Sequence, residues 1–96
     1  MLPNHTKAEG GAEIQMGVNH LGHFLLTYLL WPELKKAENP RIINVSSRAH
    51  IRKSRNCQIN FDDLGFELET YSPGAAYSRS KKANILFTKE LQKKMD

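Results

Sequence analysis

Tyr77 and Lys81 stand four residues apart in the run Tyr77-Ser78-Arg79-Ser80-Lys81. On a helix that spacing places one side chain above the other on a single face, so a phenol and an ammonium project side by side. The pairing suits proton donation. A phenol in water titrates at about 10, and acid work near neutral pH asks for a shift of roughly three units, about 4 kcal/mol. A unit charge about 4 Å away at an effective dielectric near 20 supplies about that much. Tyrosine and lysine also fall four apart in many helices that do no chemistry, each ending on a solvated face. The elements around the pair must decide between the two.

The pair sits near the start of a helix. Ser72-Pro73 gives an N-cap followed by proline at the first helical position, and the helix is expected to run from there to about Met95. Its small residues Ala76, Ser80, Ala83 and Asn84 share a face with Phe87 and Leu91. Such a face lets a second helix approach closely, and a helix of another subunit is the expected partner. Upstream, Asn39-Pro40 breaks the chain before Arg41-Ile42-Ile43-Asn44-Val45-Ser46. That continuous apolar, β-branched run reads as a central parallel strand buried on both faces.

Further upstream, Ile14, Val18, Leu21, Leu25 and Leu29 recur at three- and four-residue steps, with Phe24, Leu26, Tyr28 and Leu30 as a second apolar set. A long helix over 12–37 is expected, apolar nearly all round in its second half and so covered on two sides. Pro32 should kink it or start a fresh turn. Residues 1–10 read as a connection. Thr6 and Glu9 have capping-box spacing, but Gly10-Gly11 push the helix start later. Residues 48–71 lack a long period and read as a loop with a short helical or extended piece, anchored by Ile51, Ile59, Phe61, Leu64 and Phe66.

Composition bounds the rest. A chain of 96 residues is one domain at most, and it buries only about 60 to 65 per cent of its unfolded surface. With 40% hydrophobic and 25% charged residues, disorder is not expected. The net charge of +4 gathers at Arg48, Arg52, Lys53 and Arg55 and at Lys89, Lys93 and Lys94. No aromatic residues interleave with these clusters to stack on bases, so solvated faces are expected rather than nucleic-acid binding. The lone Cys57 excludes an internal disulfide and fits a reducing compartment, the cytoplasm or the cytosolic face of a membrane. Leu21 to Trp31 is far short of the ~18 apolar residues a membrane span needs. The opening Met1-Leu2-Pro3-Asn4-His5-Thr6 lacks the regions of a signal peptide.

Three motifs in order now carry a resemblance. Val18-Asn19-His20-Leu21-Gly22-His23-Phe24-Leu25-Leu26-Thr27 on a helix, Asn44-Val45-Ser46-Ser47 at a strand end and Tyr77-x-x-x-Lys81 on a second helix resemble the short-chain dehydrogenase/reductases. Ala83-Asn84-Ile85-Leu86-Phe87-Thr88 after the lysine is similar to the retinol dehydrogenase-like branch. The resemblance covers about residues 12–96. It implies a partial Rossmann-like α/β domain, a doubly wound parallel sheet of which this chain gives a helix-strand-loop-helix part. It also implies oxidoreductase chemistry: hydride transfer between NADP(H) or NAD(H) and an alcohol or carbonyl, such as retinol or retinal or another lipophilic molecule. Tyr77 takes the role of general acid/base, and Lys81 assists it and holds the nicotinamide ribose. Ser47 would hydrogen-bond the substrate oxygen, with Ser46 as the alternative because alternation lets only one face the site. Asn19 would hold a water linking Lys81 to solvent.

Each residue also has a plainer reading. Asn19 satisfies backbone groups at a helix bend, and Ser46-Ser47 form a strand-to-loop turn. His20, His23 and His50 lack an acidic or cysteine partner at ligand spacing, so no metal is expected. No Gly-x-Ser-x-Gly elbow marks a serine hydrolase.

The sequence departs from the family in one large respect. The strand and glycine-rich turn that cradle a dinucleotide pyrophosphate have no counterpart, since Gly10-Gly11 follow no strand and Gly17 and Gly22 lie inside a helix. One apolar strand cannot satisfy its own backbone groups. The 96 residues are therefore expected to be the central, catalytic segment of a dehydrogenase domain, inactive alone. The competing expectation is a non-catalytic remnant that serves as a dimerisation or interaction module through helices 12–37 and 73–95.

Overall fold

In the computed structural model, the described residues are 4–51 and 58–95. Pro3, Cys57 and the basic residues Arg52, Lys53 and Arg55 lie outside them. The first helical stretch runs without a break through α1 (Ile14–Met16), a π-helical segment (Gly17–Leu21) and α2 (Gly22–Lys36). A 3-10 turn (Arg48–Ile51) and a long helix, α3 (Pro73–Met95), complete the order.

The start of α1 is set by two glycines and a carboxylate. Gly10 and Gly11 take φ of 94° and 92°, a turn that only glycine makes without strain. Their turn brings Ala8 N–H onto the Ala12 carbonyl at 2.7 Å. Glu13 then caps α1, its Oε1 accepting from Met16 N–H at 2.9 Å. Thr6 does not cap a helix, and its hydroxyl instead donates to the Asn4 carbonyl. Pro32 sits inside α2, and the helix continues to Lys36 before Ala37 turns extended and Asn39 takes φ of 54°. The α3 start follows the expected signal, with Ser72 Oγ accepting from Ala75 N–H at 3.2 Å.

The expected strand at residues 41–46 does not form, and no strand occurs among the described residues. The segment is extended chain lying along α3. Asn44 Nδ2 donates to Thr88 Oγ1 at 2.9 Å, Asn84 Nδ2 to the Val45 carbonyl at 3.2 Å and Ser46 Oγ to the Lys81 carbonyl at 2.7 Å. Ile43 and Val45 point the other way and are 87% and 72% exposed. A parallel ladder needs a neighbouring strand at its edge, and the described residues supply none. The expectation of burial on both faces is corrected to period-two alternation, with one face on a helix and one in solvent.

The core is small and lies between the first helical stretch, the loop and α3. Met16, Ile59 and Ala83 pack with Leu64, and Phe66, Ala75 and Ala76 pack with Tyr71. Ile51 and Phe61, read as anchors, are instead exposed. The small-residue face of α3 is buried, but the helix against it is the chain's own α1 and π-segment rather than another subunit. Ala83 is therefore an internal contact. No residue of α2 is buried, and apart from the Phe24 ring against Phe87 the covering expected for Phe24 to Leu30 is not supplied by the described residues.

Ser78 is fully buried at 0% exposure, and its hydroxyl has no hydrogen-bond partner among the described residues. An unpaired buried hydroxyl destabilises by about 1 to 3 kcal/mol. Ser78→Ala is expected to raise the unfolding free energy by about 1 kcal/mol once the small lost volume is counted, and with it the urea midpoint. A lowered midpoint would show the hydroxyl to be partnered.

Candidate active site

The α3 backbone carries Tyr77 and Lys81 on one half-buried face, with Lys81 Nζ 5.6 Å from the centre of the Tyr77 ring. The side-by-side arrangement expected from their spacing is present. The Tyr77 hydroxyl and the Lys81 ammonium have no hydrogen-bond or ion-pair partner among the described residues. Both polar heads are available to a bound molecule.

Beneath the pair, α3 is fastened to the other segments. Ser80 Oγ donates to the Tyr77 carbonyl at 2.7 Å and accepts from Asn19 Nδ2 at 3.1 Å. The Asn19 carbonyl accepts from Asn84 Nδ2 at 2.9 Å and from His23 Nδ1 at 3.0 Å. Such double acceptance is easier in the π-segment, where the wider turn shifts the backbone register by one residue. Asn19 is thus brought to the foot of the Tyr77 turn.

The two serines have different partners. The Ser46 hydroxyl spends its proton on the Lys81 carbonyl. Ser47 Oγ instead accepts from Ala49 N–H at 3.1 Å, capping the 3-10 turn, and its own proton has no acceptor among the described residues. The Ser47 carbonyl takes both His50 N–H and His50 Nδ1, the latter at 2.6 Å. Of the pair, only Ser47 keeps a donor for a substrate oxygen.

His20 packs edge-on to Phe24 and Phe87, with ring centres 6.1 and 5.9 Å away. Burial pushes its pKa below the ordinary histidine value, against the opposing hydrogen bond to Asn84, and His23 adds to the lowering. Both Asn84 donor contacts go to carbonyls, so its Oδ1 must accept, and His20 carries its proton on Nδ1. Among the described residues no group of three metal-ligating side chains occurs. Nor is any helix there long and apolar enough to cross a membrane.

A second braced region was not legible from spacing. Glu13, 2% exposed, accepts from the Tyr71 hydroxyl at 2.8 Å through Oε2 while Oε1 caps α1. Gln15 Nε2 donates to the Pro73 carbonyl at 2.9 Å. His5 stacks on Tyr71 with centres 4.4 Å apart, and Arg79 lies over Phe66 while paired with Glu69 at 2.7 Å. These contacts lock the start of the Asn19 helix to the start of the Tyr77 helix. Their only sequence signal is a glutamate just before a helix, three residues from the amide it caps.

Comparison with known proteins finds clear relatives. The chain is 50% identical over 91 residues to human (Homo sapiens) retinol dehydrogenase 13, covering 95% of this chain and 26% of that protein. It is also 50% identical over 95 residues to human retinol dehydrogenase 12, covering 99% of this chain and 28% of that protein. The chain is similar in sequence to the retinol dehydrogenases. Their wider family is the short-chain dehydrogenase/reductases. Mouse (Mus musculus) retinol dehydrogenase 14 is 50% identical over 92 residues, covering 96% of this chain and 26% of that protein. A crystal structure of an uncharacterised protein from Mycobacterium paratuberculosis superposes with a TM-score of 0.84 at 45% identity, over 99% of this chain and 32% of that chain. No protein-family model matches. The chain spans about a quarter of the length of the curated relatives it matches.

Proposed function

We propose that the chain carries the proton-transfer part of a dehydrogenase site acting on an alcohol or carbonyl, retinol- or retinal-like or otherwise lipophilic, with NADP or NAD as the hydride carrier. The observation that carries the reading is the Tyr77 and Lys81 heads side by side on α3, without a polar partner among the described residues, together with a Ser47 hydroxyl whose proton has no acceptor there. In this reading residues 1–96 form part of a Rossmann-like domain, and 41–46 becomes a strand when sheet neighbours pair with its open edges.

The donor set fits the ribose end of a nicotinamide dinucleotide. An ammonium and a phenol without partners suit a ribose diol, and Lys81 and Tyr77 would hold it. The bound nicotinamide would supply or accept the hydride at the substrate carbon. In the reducing direction, charge builds on the substrate oxygen. The Tyr77 hydroxyl gives that oxygen a proton, and the Ser47 hydroxyl donates a second hydrogen bond to it. The Lys81 ammonium balances the charge left on the phenolic oxygen. The Asn19 carbonyl already takes two donors, so a water relay would use its side-chain Oδ1, which has no partner among the described residues.

A second reading rests on the apolar residues Phe24, Leu25, Leu26, Tyr28, Leu29 and Leu30, exposed along α2. There the chain is a dimerisation or interaction module and does no chemistry. Turnover separates the two. In the intact protein, Lys81→Ala is expected to weaken cofactor affinity and lower turnover of a retinoid alcohol together. The 96 residues alone are expected to show no saturable NADP or NAD binding by calorimetry, because they hold no strand and glycine-rich turn to cradle the pyrophosphate. Micromolar binding by the short chain would show that it needs no completing strands, and an inert intact protein would favour the module.

A further inference from the structure

Resting on that reading, we infer that Asn84 is a positioning residue, a single amide that fixes the π-segment bearing Asn19 and the extended segment ending in Ser47 against the helix bearing Tyr77. Asn84 is 4% exposed and lies one turn beyond Lys81. Its Nδ2 donates to the Asn19 carbonyl at 2.9 Å and to the Val45 carbonyl at 3.2 Å, and its Oδ1 accepts from His20 Nδ1 at 3.1 Å. One primary amide has two N–H bonds and one carbonyl, and here each meets a partner.

The two carbonyls belong to different segments. The Asn19 carbonyl is in the π-segment, where it also takes His23 Nδ1, and the Val45 carbonyl is on a segment without strand neighbours among the described residues. α3 reaches both carbonyls with the same side chain and so ties the two segments together. Val45 is two residues from Ser47, so a slip of the extended segment along α3 moves the Ser47 hydroxyl relative to Tyr77. Ser46 Oγ on the Lys81 carbonyl holds the same segment one residue further on, which leaves Asn84 to set its approach to the π-turn.

Two substitutions separate donation from packing. Asn84→Asp keeps the shape and the acceptor for His20 but removes both donors. Asn84→Leu keeps the approximate volume and removes all three contacts. Each is measured in the intact protein for kcat and KM toward a retinoid alcohol with NADP or NAD, next to Tyr77→Phe as a control. Nitrogen-15 NMR reports the His20 tautomer and the amides of 17–21 and 43–47. Both Asn84 variants are expected to lose about tenfold or more in kcat, the scale of a sub-ångström to 1 Å misplacement, with KM within about threefold. Amide shifts should move in both segments together, and only Asn84→Leu should release His20 from its Nδ1–H form.

Loss of kcat in Asn84→Leu alone would overturn the inference, because donation would then be irrelevant. A lowered unfolding midpoint with kcat per folded molecule unchanged would also overturn it, as would amide shifts confined to one segment. If Tyr77→Phe keeps its turnover, the proposed function falls and the NMR result alone decides whether Asn84 joins the segments. If Tyr77→Phe is inert and both Asn84 variants match the parent, the function stands and the inference fails.

Discussion

Tyr77→Phe is expected to remove nearly all turnover in the intact protein, a loss above about a hundredfold or roughly 2.7 kcal/mol of barrier, with cofactor affinity little changed. Only the hydroxyl is lost. The ring keeps its place beside Lys81 Nζ, and the carbonyl of residue 77 still receives the Ser80 hydroxyl. The Tyr77 hydroxyl has no partner among the described residues, so its removal strands no protein group and the fold should not change. That separates the result from a stability effect. Steady-state rates with a matched thermal scan decide it. A variant that keeps more than about a tenth of the parent rate, a loss below roughly 1.4 kcal/mol, would remove Tyr77 from the acid/base role.

How much of this was readable from sequence depends on the range of the interactions. The Tyr77–Lys81 pair and the Ser72-Pro73 helix start depend on neighbours within four residues, and both stand as the spacing implied. The segment 41–46 failed as a strand because a ladder is a property of two segments, and composition describes only one. Its alternation was hidden because Ile42 and Ile43 are both apolar while only Ile43 is strongly exposed. Asn84 was visible as a small residue on a packed face, but not as a donor, since its acceptors lie 65 and 39 positions away. The π-segment left no legible trace, because its apolar pattern continues that of the helices on either side.

The Glu13–Tyr71 brace carries the largest expected stability effect. Glu13→Ala removes the acceptor of two donors at once, the Met16 N–H at the start of α1 and the Tyr71 hydroxyl. Loss of a helix cap costs about 1 kcal/mol, and the half-buried Tyr71 hydroxyl, which water can partly reach, adds about 1 more. A total of about 2 kcal/mol is expected, a sizeable part of the 5 to 15 or so that holds a domain together. Glu13→Gln keeps the cap oxygen and turns an amide toward a phenol that can also accept, so its loss should stay near about 1 kcal/mol. Equal losses in the two variants would show that the carboxylate, rather than the hydrogen bonds, is what matters. The brace also predicts a pH limb. Burial first, and then the hydrogen bond to Glu13, raise the Tyr71 pKa from 10.0 to about 12. The folded chain therefore favours the neutral phenol more than the unfolded chain does. Its contribution is complete below pH 10 and is lost as pH rises toward 12. Urea midpoints should fall across that window in the parent, and fall less in Tyr71→Phe, which has no phenol to ionise. Parallel curves for the two would mean that the alkaline loss comes from other groups and that the Tyr71 proton does not report on the brace.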